Sequence, residues 1–229
     1  MKTIGIVGGF TWLSTMDYYR LLNQAVNRHF GGVTSAKIIL YSVDFEQIKT
    51  LVERYDWAGI AGIVVPAAVA VQGAGADCIV LAANTPHNIA EEVKKAVNIP
   101  LIHIGEATAQ AVADKGITKV ALLGTKYTTQ LDFYKDKLAE KNITTIIPCE
   151  EDIQFINASI FNEMGKGIFL PETKAAYVTI INKLVSQGAE GIVLGCTEIP
   201  ILIKPEEIQV PAFDTTAIHV DAIMKFISS

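Results

Sequence analysis

The chain has 229 residues, of which half are hydrophobic and 19% charged, and its net charge is −5 at pH 7. That length suits one large domain or two small ones, and the apolar fraction excludes a disordered chain. The acidic balance, without any basic run, argues against a nucleic-acid partner.

The N-terminal run 1–9 is short, apolar and broken by glycines, so it predicts a first strand and not a signal peptide. The longest apolar stretch, 58–71, contains glycines and a proline and is too short to span a bilayer. Three widely spaced cysteines do not make a disulfide framework. We therefore expect a soluble cytoplasmic protein with reduced thiols and no membrane partner.

Short apolar runs alternate with longer helical patterns along the chain. Strands are predicted near 3–8, 36–42, 77–82, 100–104, 118–123, 144–147, 190–194 and 210–213. Helices are predicted near 14–29, 45–54, 58–74, 87–96, 106–114, 129–141, 151–166, 171–187 and 215–227. This alternation predicts an α/β fold with mainly parallel sheets flanked by helices, whose apolar strands are buried on both faces.

The second half of the chain repeats the first at a nearly constant offset. The segments 4–8, 16–20, 75–85 and 99–100 resemble 120–124, 131–135, 188–198 and 210–211. Single βα units often look alike, but an ordered set of matches indicates a true repeat. We therefore predict two pseudo-twofold-related halves, residues 1–105 and residues 106–214, with a C-terminal helix at 215–229 rejoining the first.

Ligands of parallel sheets bind outside the carboxyl ends of the strands. The loops that follow the matched strand ends are 8–15, 83–87, 124–129 and 196–199. By the symmetry of the repeat, we expect these loops to converge on one active-site cleft between the halves.

Cys196 follows a predicted buried strand, in the run Gly195-Cys196-Thr197-Glu198. Backbone N–H groups at such a turn can lower a thiol pKa and hold a carboxylate. A free cysteine is more often a small buried hydrophobe, and Cys78 and Cys149 fit that description. The place of Cys196 at a strand end instead predicts an acid/base that moves a proton at carbon. The repeat aligns it with Ala83, which is inert.

Small polar residues follow the other matched strand ends. They are Thr11, Ser14, Thr15, Asn84, Thr85, Thr125, Thr128 and Thr129. Hydroxyls, an amide and helix-start N–H groups can hold an anion, although single Ser and Thr residues at these positions are often ordinary helix caps. Three such loops at matched strand ends favour a binding site.

The histidine and glycine patterns argue against a metal or nucleotide site. His87 is expected near the cleft, whereas His103 and His219 are expected in the core or at a cap. Their spacing resembles no metal site. Gly8-Gly9 lacks the third glycine and the acidic partner of a dinucleotide fingerprint, and the chain has no P-loop lysine. No metal and no nucleotide cofactor are therefore predicted from these patterns.

Three stretches resemble the aspartate/glutamate/hydantoin racemase family. The run 192–200 resembles the second signature of the family, 80–87 its first signature, and 2–9 its opening strand and loop. The resemblance covers essentially the whole chain and is greatest to bacterial racemases of the aspartate or broad-specificity aspartate/glutamate type. It implies a pyridoxal-independent amino-acid racemase, homodimeric and without a cofactor, whose substrate is aspartate, glutamate or a similar small acid.

The resemblance also implies roles for single residues. Cys196 is one acid/base at Cα, Asn84, Thr85 and Thr197 hold the carboxylate and ammonium groups, and Thr125 and the loop 8–15 line the pocket. Phe10, in that loop, stands where many relatives have methionine. Ala83 departs from the pattern, because the family normally places cysteine there and some close relatives place threonine.

Alanine at position 83 cannot accept a proton, and three explanations stay open. The protein is an engineered inactivated variant, a natural racemase that works slowly with a water or Thr85, or the catalyst of a one-thiol reaction. Relatives that decarboxylate malonates use one cysteine, so a single-cysteine decarboxylase or isomerase of a small dicarboxylate is the alternative function. A non-catalytic dicarboxylate binder is another. Arg54 and Lys166 are candidates for a distal carboxylate, although both are expected to be exposed.

Overall fold

The computed structural model describes residues 1–229, and the chain divides into two compact units. Unit 1 comprises Met1–His103 and His219–Ser229, and unit 2 comprises Ile104–Ile218. Each unit contains a parallel sheet flanked by helices, so the predicted α/β class is confirmed. Among the helices, none combines the length and the apolar character that crossing a bilayer requires.

Unit 1 is built on a three-stranded parallel sheet with the order β2-β1-β3. Its elements are β1 (Ile4–Gly8), α1 (Trp12–Phe30), β2 (Ile38–Ser42), α2 (Phe45–Glu53), α3 (Trp57–Gly73), β3 (Cys78–Leu81), a 3-10 turn (Thr85–Ile89) and α4 (Ala90–Ala96). From His219 onward, the last helix α11 (Thr215–Ser228) also belongs to this unit.

The core of unit 1 explains why β1 and β3 carry almost no polar residues. Both strands are buried along their whole length, as expected for parallel strands with helices on both faces. One face packs against the apolar sides of α1 and α11. The buried residues of this cluster include Ile4, Ile6, Val80, Tyr18, Leu22, Val26, Val220, Ile223 and Ile227.

Unit 2 is built on a four-stranded parallel sheet with the order β5-β4-β6-β7. Its strands are β4 (Lys119–Gly124), β5 (Thr144–Ile146), β6 (Gly191–Gly195) and β7 (Ala212–Asp214). Its helices are α5 (Ile104–Asp114), α6 (Lys126–Gln130), α7 (Asp132–Ala139), α8 (Glu150–Asn162), α9 (Pro171–Ser186), α10 (Ile199–Leu202) and the first turn of α11, and 3-10 turns lie at Met164–Lys166 and Pro205–Glu207.

Alternate residues of β4 and β6 enter two different cores. Ala121, Leu123 and Leu194 join the cluster formed with α8 and α9. Leu122 and Val193 join the cluster formed with α5 and α7. This alternation is the two-residue period of a strand, and it lets each apolar run serve both faces of the sheet.

The two units share one hydrogen-bonding scheme, as the repeat in the sequence implies. In unit 1, the Ile79 N–H donates to the Pro100 carbonyl at 2.8 Å. In unit 2, the aligned Ile192 N–H donates to the Pro211 carbonyl at 2.9 Å. The bridge between Ile79 and Leu101 therefore corresponds to the pairing of β6 with β7.

Four predicted elements differ from the structure. The helix near 151–166 ends at Asn162 and is followed by a 3-10 turn at Met164–Lys166. The strand near 100–104 is reduced to a single bridge at Leu101, and α5 begins at Ile104. The helix near 129–141 is two helices, because Leu131 is extended and interrupts the pattern. The helix near 87–96 begins as a 3-10 turn at Thr85.

Candidate functional site

Cys196 lies immediately after β6, at the carboxyl end of the strand. It is partly exposed, whereas 191–195 and 197–199 are buried on either side of it. Gly195 allows this close-packed strand end, because a Cβ there would stand 2.6 Å from the Leu123 carbonyl oxygen. Cys196 is thus held on a rigid sheet edge as a partly exposed residue between buried neighbours.

The Cys196 thiol shares a buried acceptor with its neighbour. Its Sγ donates to Oε2 of Glu198 at 2.9 Å, and Oγ1 of Thr197 donates to the same oxygen at 2.7 Å. Glu198 is 3% exposed. Sequence reasoning included Glu198 in the motif but gave it no role. The feature of the sequence that could have indicated a role for Glu198 is an acidic residue two positions after a cysteine at a strand end.

The pKa of the Cys196 thiol is raised well above its ordinary value. Burial is the main cause, followed by the charge of Glu198 and the hydrogen bond to it, while the backbone N–H groups of Glu198 and Thr197 act in the opposite direction. The backbone N–H groups thus lower this pKa as expected, but burial and, after it, the carboxylate of Glu198 outweigh them, so the net shift is upward. At neutral pH the free thiol is protonated.

Neither of the other two cysteines directly follows the carboxyl end of a strand. Cys78 is fully buried within β3, and burial raises its pKa to about 11. Cys149 is exposed, and its Sγ donates to Asp152 at 3.1 Å. Neither has a partly exposed place at the carboxyl edge of a sheet.

Ala83 occupies in unit 1 the position that Cys196 occupies in unit 2. It follows β3, and it is partly exposed between the buried residues Ala82 and Asn84. Thr85, partly exposed, opens the 3-10 turn. The carbonyl of Ala83 accepts a hydrogen bond from Nδ1 of His87 at 2.9 Å. The segment is thus held through its main chain.

In each unit a helix begins after the first strand, and the two helix starts share two hydrogen bonds. The Thr11 hydroxyl accepts from the Ser14 N–H at 3.1 Å and the Thr125 hydroxyl from the Thr128 N–H at 3.3 Å. Four residues after each cap, the hydroxyls of Thr15 and Thr129 donate to the cap carbonyls, each at 3.1 Å. These hydroxyls form hydrogen bonds at the first turns of their helices, as capping residues do.

Phe10 is buried at the end of a tight loop. Gly9 precedes it with φ +88°, and a Cβ there would collide with the backbone of Val43. The Gly9 N–H donates to the hydroxyl of Thr15 at 2.8 Å. The loop is therefore rigid, and glycine is required at its sharpest point.

The predicted site residues fall into two groups, one in each unit. In unit 1, Phe10, Ala83, Asn84 and Thr85 follow the adjacent strands β1 and β3. In unit 2, Thr125, Cys196 and Thr197 follow β4 and β6, whose last residues pair directly. Arg54 and Lys166 belong to neither group, and both are exposed.

The chain was compared with known proteins. The model of the family described as Asp/Glu/Hydantoin racemase matches residues 7–223. A Yersinia pestis protein proposed to be an Asp/Glu racemase is 43% identical over the whole of both chains, with a TM-score of 0.92. An aspartate racemase homologue from Pyrococcus horikoshii is 37% identical over both whole chains, with a TM-score of 0.85.

A curated relative is the broad-specificity amino-acid racemase RacX of Bacillus subtilis, which is 27% identical over 154 residues. That match covers 67% of this chain and 66% of the Bacillus protein, so it falls just short of two thirds of the relative. The structures from Yersinia and Pyrococcus match over the full length, so the similarity of fold extends over the whole chain.

Proposed function

Because this chain belongs to the Asp/Glu/hydantoin racemase family, we propose that it moves the Cα proton of aspartate, glutamate or a similar small acid, with Cys196 as one acid/base. Family membership and the structural relatives support an amino-acid racemase, which is an isomerase. The reaction needs no pyridoxal in this proposal. The observation that carries it is the hydrogen bond from the thiol of Cys196, a partly exposed residue at a strand end, to the buried carboxylate of Glu198.

The hydrogen bond between Cys196 and Glu198 supports a two-way proton transfer. A thiol must lose its proton before it can remove one from Cα, and Oε2 of Glu198 lies 2.9 Å away to accept it. The resulting thiolate takes the Cα proton and leaves a carbanion. In the reverse direction, the protonated thiol returns a proton to the same face. Glu198 thus acts through Cys196 and is a positioning and proton-holding residue.

Ala83 limits the proposed reaction to one competent side chain. The repeat in the sequence assigns position 83 to the opposite face of Cα from Cys196. A methyl group neither gives nor takes a proton, so the second proton comes from water or from the hydroxyl of Thr85. We expect one enantiomer to exchange its Cα proton faster than net inversion occurs.

Substrate binding in the proposal uses polar groups beside these positions. Asn84, Thr85 and Thr197 would hold the carboxylate and ammonium groups, and Thr125 and Phe10 would line the pocket. Support comes from their place at the carboxyl edges of the two sheets, where parallel α/β proteins bind ligands. The stretch of backbone N–H groups after each strand suits a carboxylate.

We also propose a cytoplasmic homodimer. Free cysteines without a disulfide suit a reducing compartment. Trp12, Met16 and Tyr19 are exposed along one side of α1, and apolar surface of this kind is typical of subunit contacts. Light scattering coupled to size-exclusion chromatography would give twice the chain mass for the homodimer, and the chain mass alone would contradict it.

The test of the function is hydrogen exchange in deuterated water. L-aspartate and L-glutamate are incubated with the protein, and Cα deuterium and the D-enantiomer are measured by mass spectrometry and chiral chromatography. Exchange that disappears in Cys196→Ala supports the proposal. Cys149→Ala is the matched control, since it removes an exposed thiol of unit 2 that does not directly follow a strand. No exchange above background, or exchange that survives Cys196→Ala, would overturn it.

A single-cysteine decarboxylase of malonate-type acids is the second candidate, and the pairing of Ala83 with a protonated Cys196 favours it. Loss of carbon dioxide leaves a carbanion that needs only one proton donor. Carbon dioxide release from a substituted malonate, without Cα exchange on amino acids, would select this reaction over racemisation.

A further inference from the structure

Three histidines and a tyrosine from separate segments meet inside unit 1. The ring centroid of His87 lies 4.6 Å from that of His103 and 5.7 Å from that of His219. The Tyr18 ring lies 5.6 Å from the His219 ring. All four side chains are at most 4% exposed. The proposed proton transfer uses none of them, and the group lacks the arrangement of a metal site.

The hydrogen bonds of this cluster fix where the protons lie. Nδ1 of His87 is 2.9 Å from the carbonyl of Ala83, and a carbonyl only accepts, so Nδ1 carries the proton. Nε2 of His219 is 2.8 Å from the carbonyl of Ile102 and likewise donates. Nδ1 of His219 therefore accepts from the Tyr18 hydroxyl at 2.7 Å.

The imidazoles of His87 and His219 are held uncharged. Burial lowers the pKa of His87 well below its ordinary value, and His103 and His219 lower it further, against the opposing bond to Ala83. Burial also lowers the pKa of His219 to about 4. A neutral imidazole with one fixed N–H is a rigid hydrogen-bond donor in an apolar setting.

The two units hold their aligned strand ends in different ways. In unit 2, Glu198 bonds the side chain of Cys196. In unit 1, the ring Nδ1–H of His87 donates to the main-chain carbonyl of Ala83. The backbone N–H of His87 donates to the Asn84 carbonyl at 3.0 Å. Position 200, which the repeat aligns with His87, is a proline without a side-chain donor. The imidazole therefore belongs to unit 1 alone.

We propose that His87 is a positioning residue, whose Nδ1–H fixes the backbone of residue 83 in its working place whatever side chain stands there. This inference rests on the proposed function, in which residue 83 serves one face of the substrate. It follows that a proton-transferring side chain introduced at position 83 needs His87 to be productive. A donor set about 1 Å out of place costs on the order of 100-fold in rate.

The test uses the Ala83→Cys variant as the parent protein. Asparagine at position 87 places an N–H close to Nδ1, and leucine removes the donor at similar bulk. In this parent, His87→Leu should lower kcat for aspartate racemisation by about 10- to 100-fold with KM little changed. His87→Asn should restore most of kcat. The matched control is His29→Leu, which removes an exposed histidine at the end of α1.

Equal kcat in the parent and in the leucine variant would overturn the inference, as would equal losses for leucine and asparagine. If the leucine variant does not fold, His87→Gln replaces it, since its amide reaches toward the Nε2 position instead.

A second readout separates this inference from the proposed function. The thiol introduced at position 83 is alkylated with iodoacetamide across pH, and mass spectrometry locates the product. His87→Leu should change the rate and pH profile at that position, and His87→Asn should not. An unchanged profile in the leucine variant would overturn the inference. If no variant racemises amino acids while the profile changes as expected, the proposed function fails and the positioning role stands.

Discussion

Oε2 of Glu198 accepts a hydrogen bond from the thiol of Cys196 at 2.9 Å, inside a strand end that is otherwise buried. A carboxylate this close both raises the pKa of the thiol and offers a place for its proton. Whether Cys196 can act as a base therefore depends on Glu198, which has to take up the proton of the thiol.

The first prediction concerns Glu198→Gln. Without the carboxylate, the pKa of Cys196 should fall toward its ordinary value, because a nearby negative charge no longer opposes the thiolate. Cα exchange should still drop by about 100-fold, since general-base assistance is worth at least that much. Iodoacetamide alkylation of Cys196 across pH and kcat/KM measure the two effects. Glu206→Gln, an exposed substitution, is the control, and an unchanged alkylation profile in Glu198→Gln would contradict the prediction.

The second prediction concerns the side chain at position 83. Ala83→Thr and Ala83→Cys should raise net racemisation by about 100-fold, because each adds a group that can transfer a proton on the second face. Ala83→Val is the matched control for threonine, with the same shape but no hydroxyl. Chiral chromatography measures D-aspartate formed from L-aspartate. An equal gain in the valine variant would assign the effect to packing.

The third prediction is a loss of stability in acid. The pKa of His219 is about 4 in the folded protein, below its ordinary value of 6.5. Between these values the unfolded chain binds a proton that the folded chain does not, so the free energy of unfolding decreases as pH falls from 6.5 to 4. The full difference is about 3 kcal/mol, and the lowered pKa of His87 acts in the same direction.

Urea unfolding at several pH values measures this slope. His219→Gln should flatten it, because the titrating ring is gone, whereas the exposed His29→Gln should leave it unchanged. The same slope in His219→Gln as in the natural chain would show that other groups cause the acid sensitivity.

The fourth prediction concerns the loop beside Phe10. Gly9→Ala should destabilise the protein by about 1–3 kcal/mol from backbone strain alone, and by more because its Cβ meets the backbone of Val43. Gly75→Ala has a similarly positive φ of +100° but open space around the Cβ, so it isolates the strain. Thermal unfolding compares the two. Equal losses of stability in the two variants would mean that the loop moves and relieves the contact between the new Cβ and the backbone of Val43.

Much of this architecture could be predicted from local patterns. The buried strands, the amphipathic α1 and the place of Cys196 at a strand end follow from runs of apolar residues that end at a loop. The repeat adds the correspondence between Ala83 and Cys196, which no single unit would reveal.

The sequence was less informative where opposing electrostatic effects, contacts between distant segments or a single extended residue decide the structure. The pKa of Cys196 is raised because burial, followed by the carboxylate of Glu198, outweighs the backbone N–H groups of the turn. The meeting of His87 with His103 and His219 joins segments far apart in the chain, and neither composition nor periodicity encodes such contacts. Leu131 shows the limit of helical periodicity, since one extended residue divides a continuous pattern.

The position of helix α11 at the end of the chain affects the order in which the two units can fold during synthesis. Unit 2 is a continuous stretch of chain, whereas the core of unit 1 is incomplete until Val220, Ile223 and Ile227 have been made. On the ribosome, unit 2 can therefore fold before unit 1, because the core of unit 1 is completed only when α11 has been made. A fragment that stops at His103 would leave the apolar side of α1 uncovered, and adding a peptide of 219–229 should rescue it.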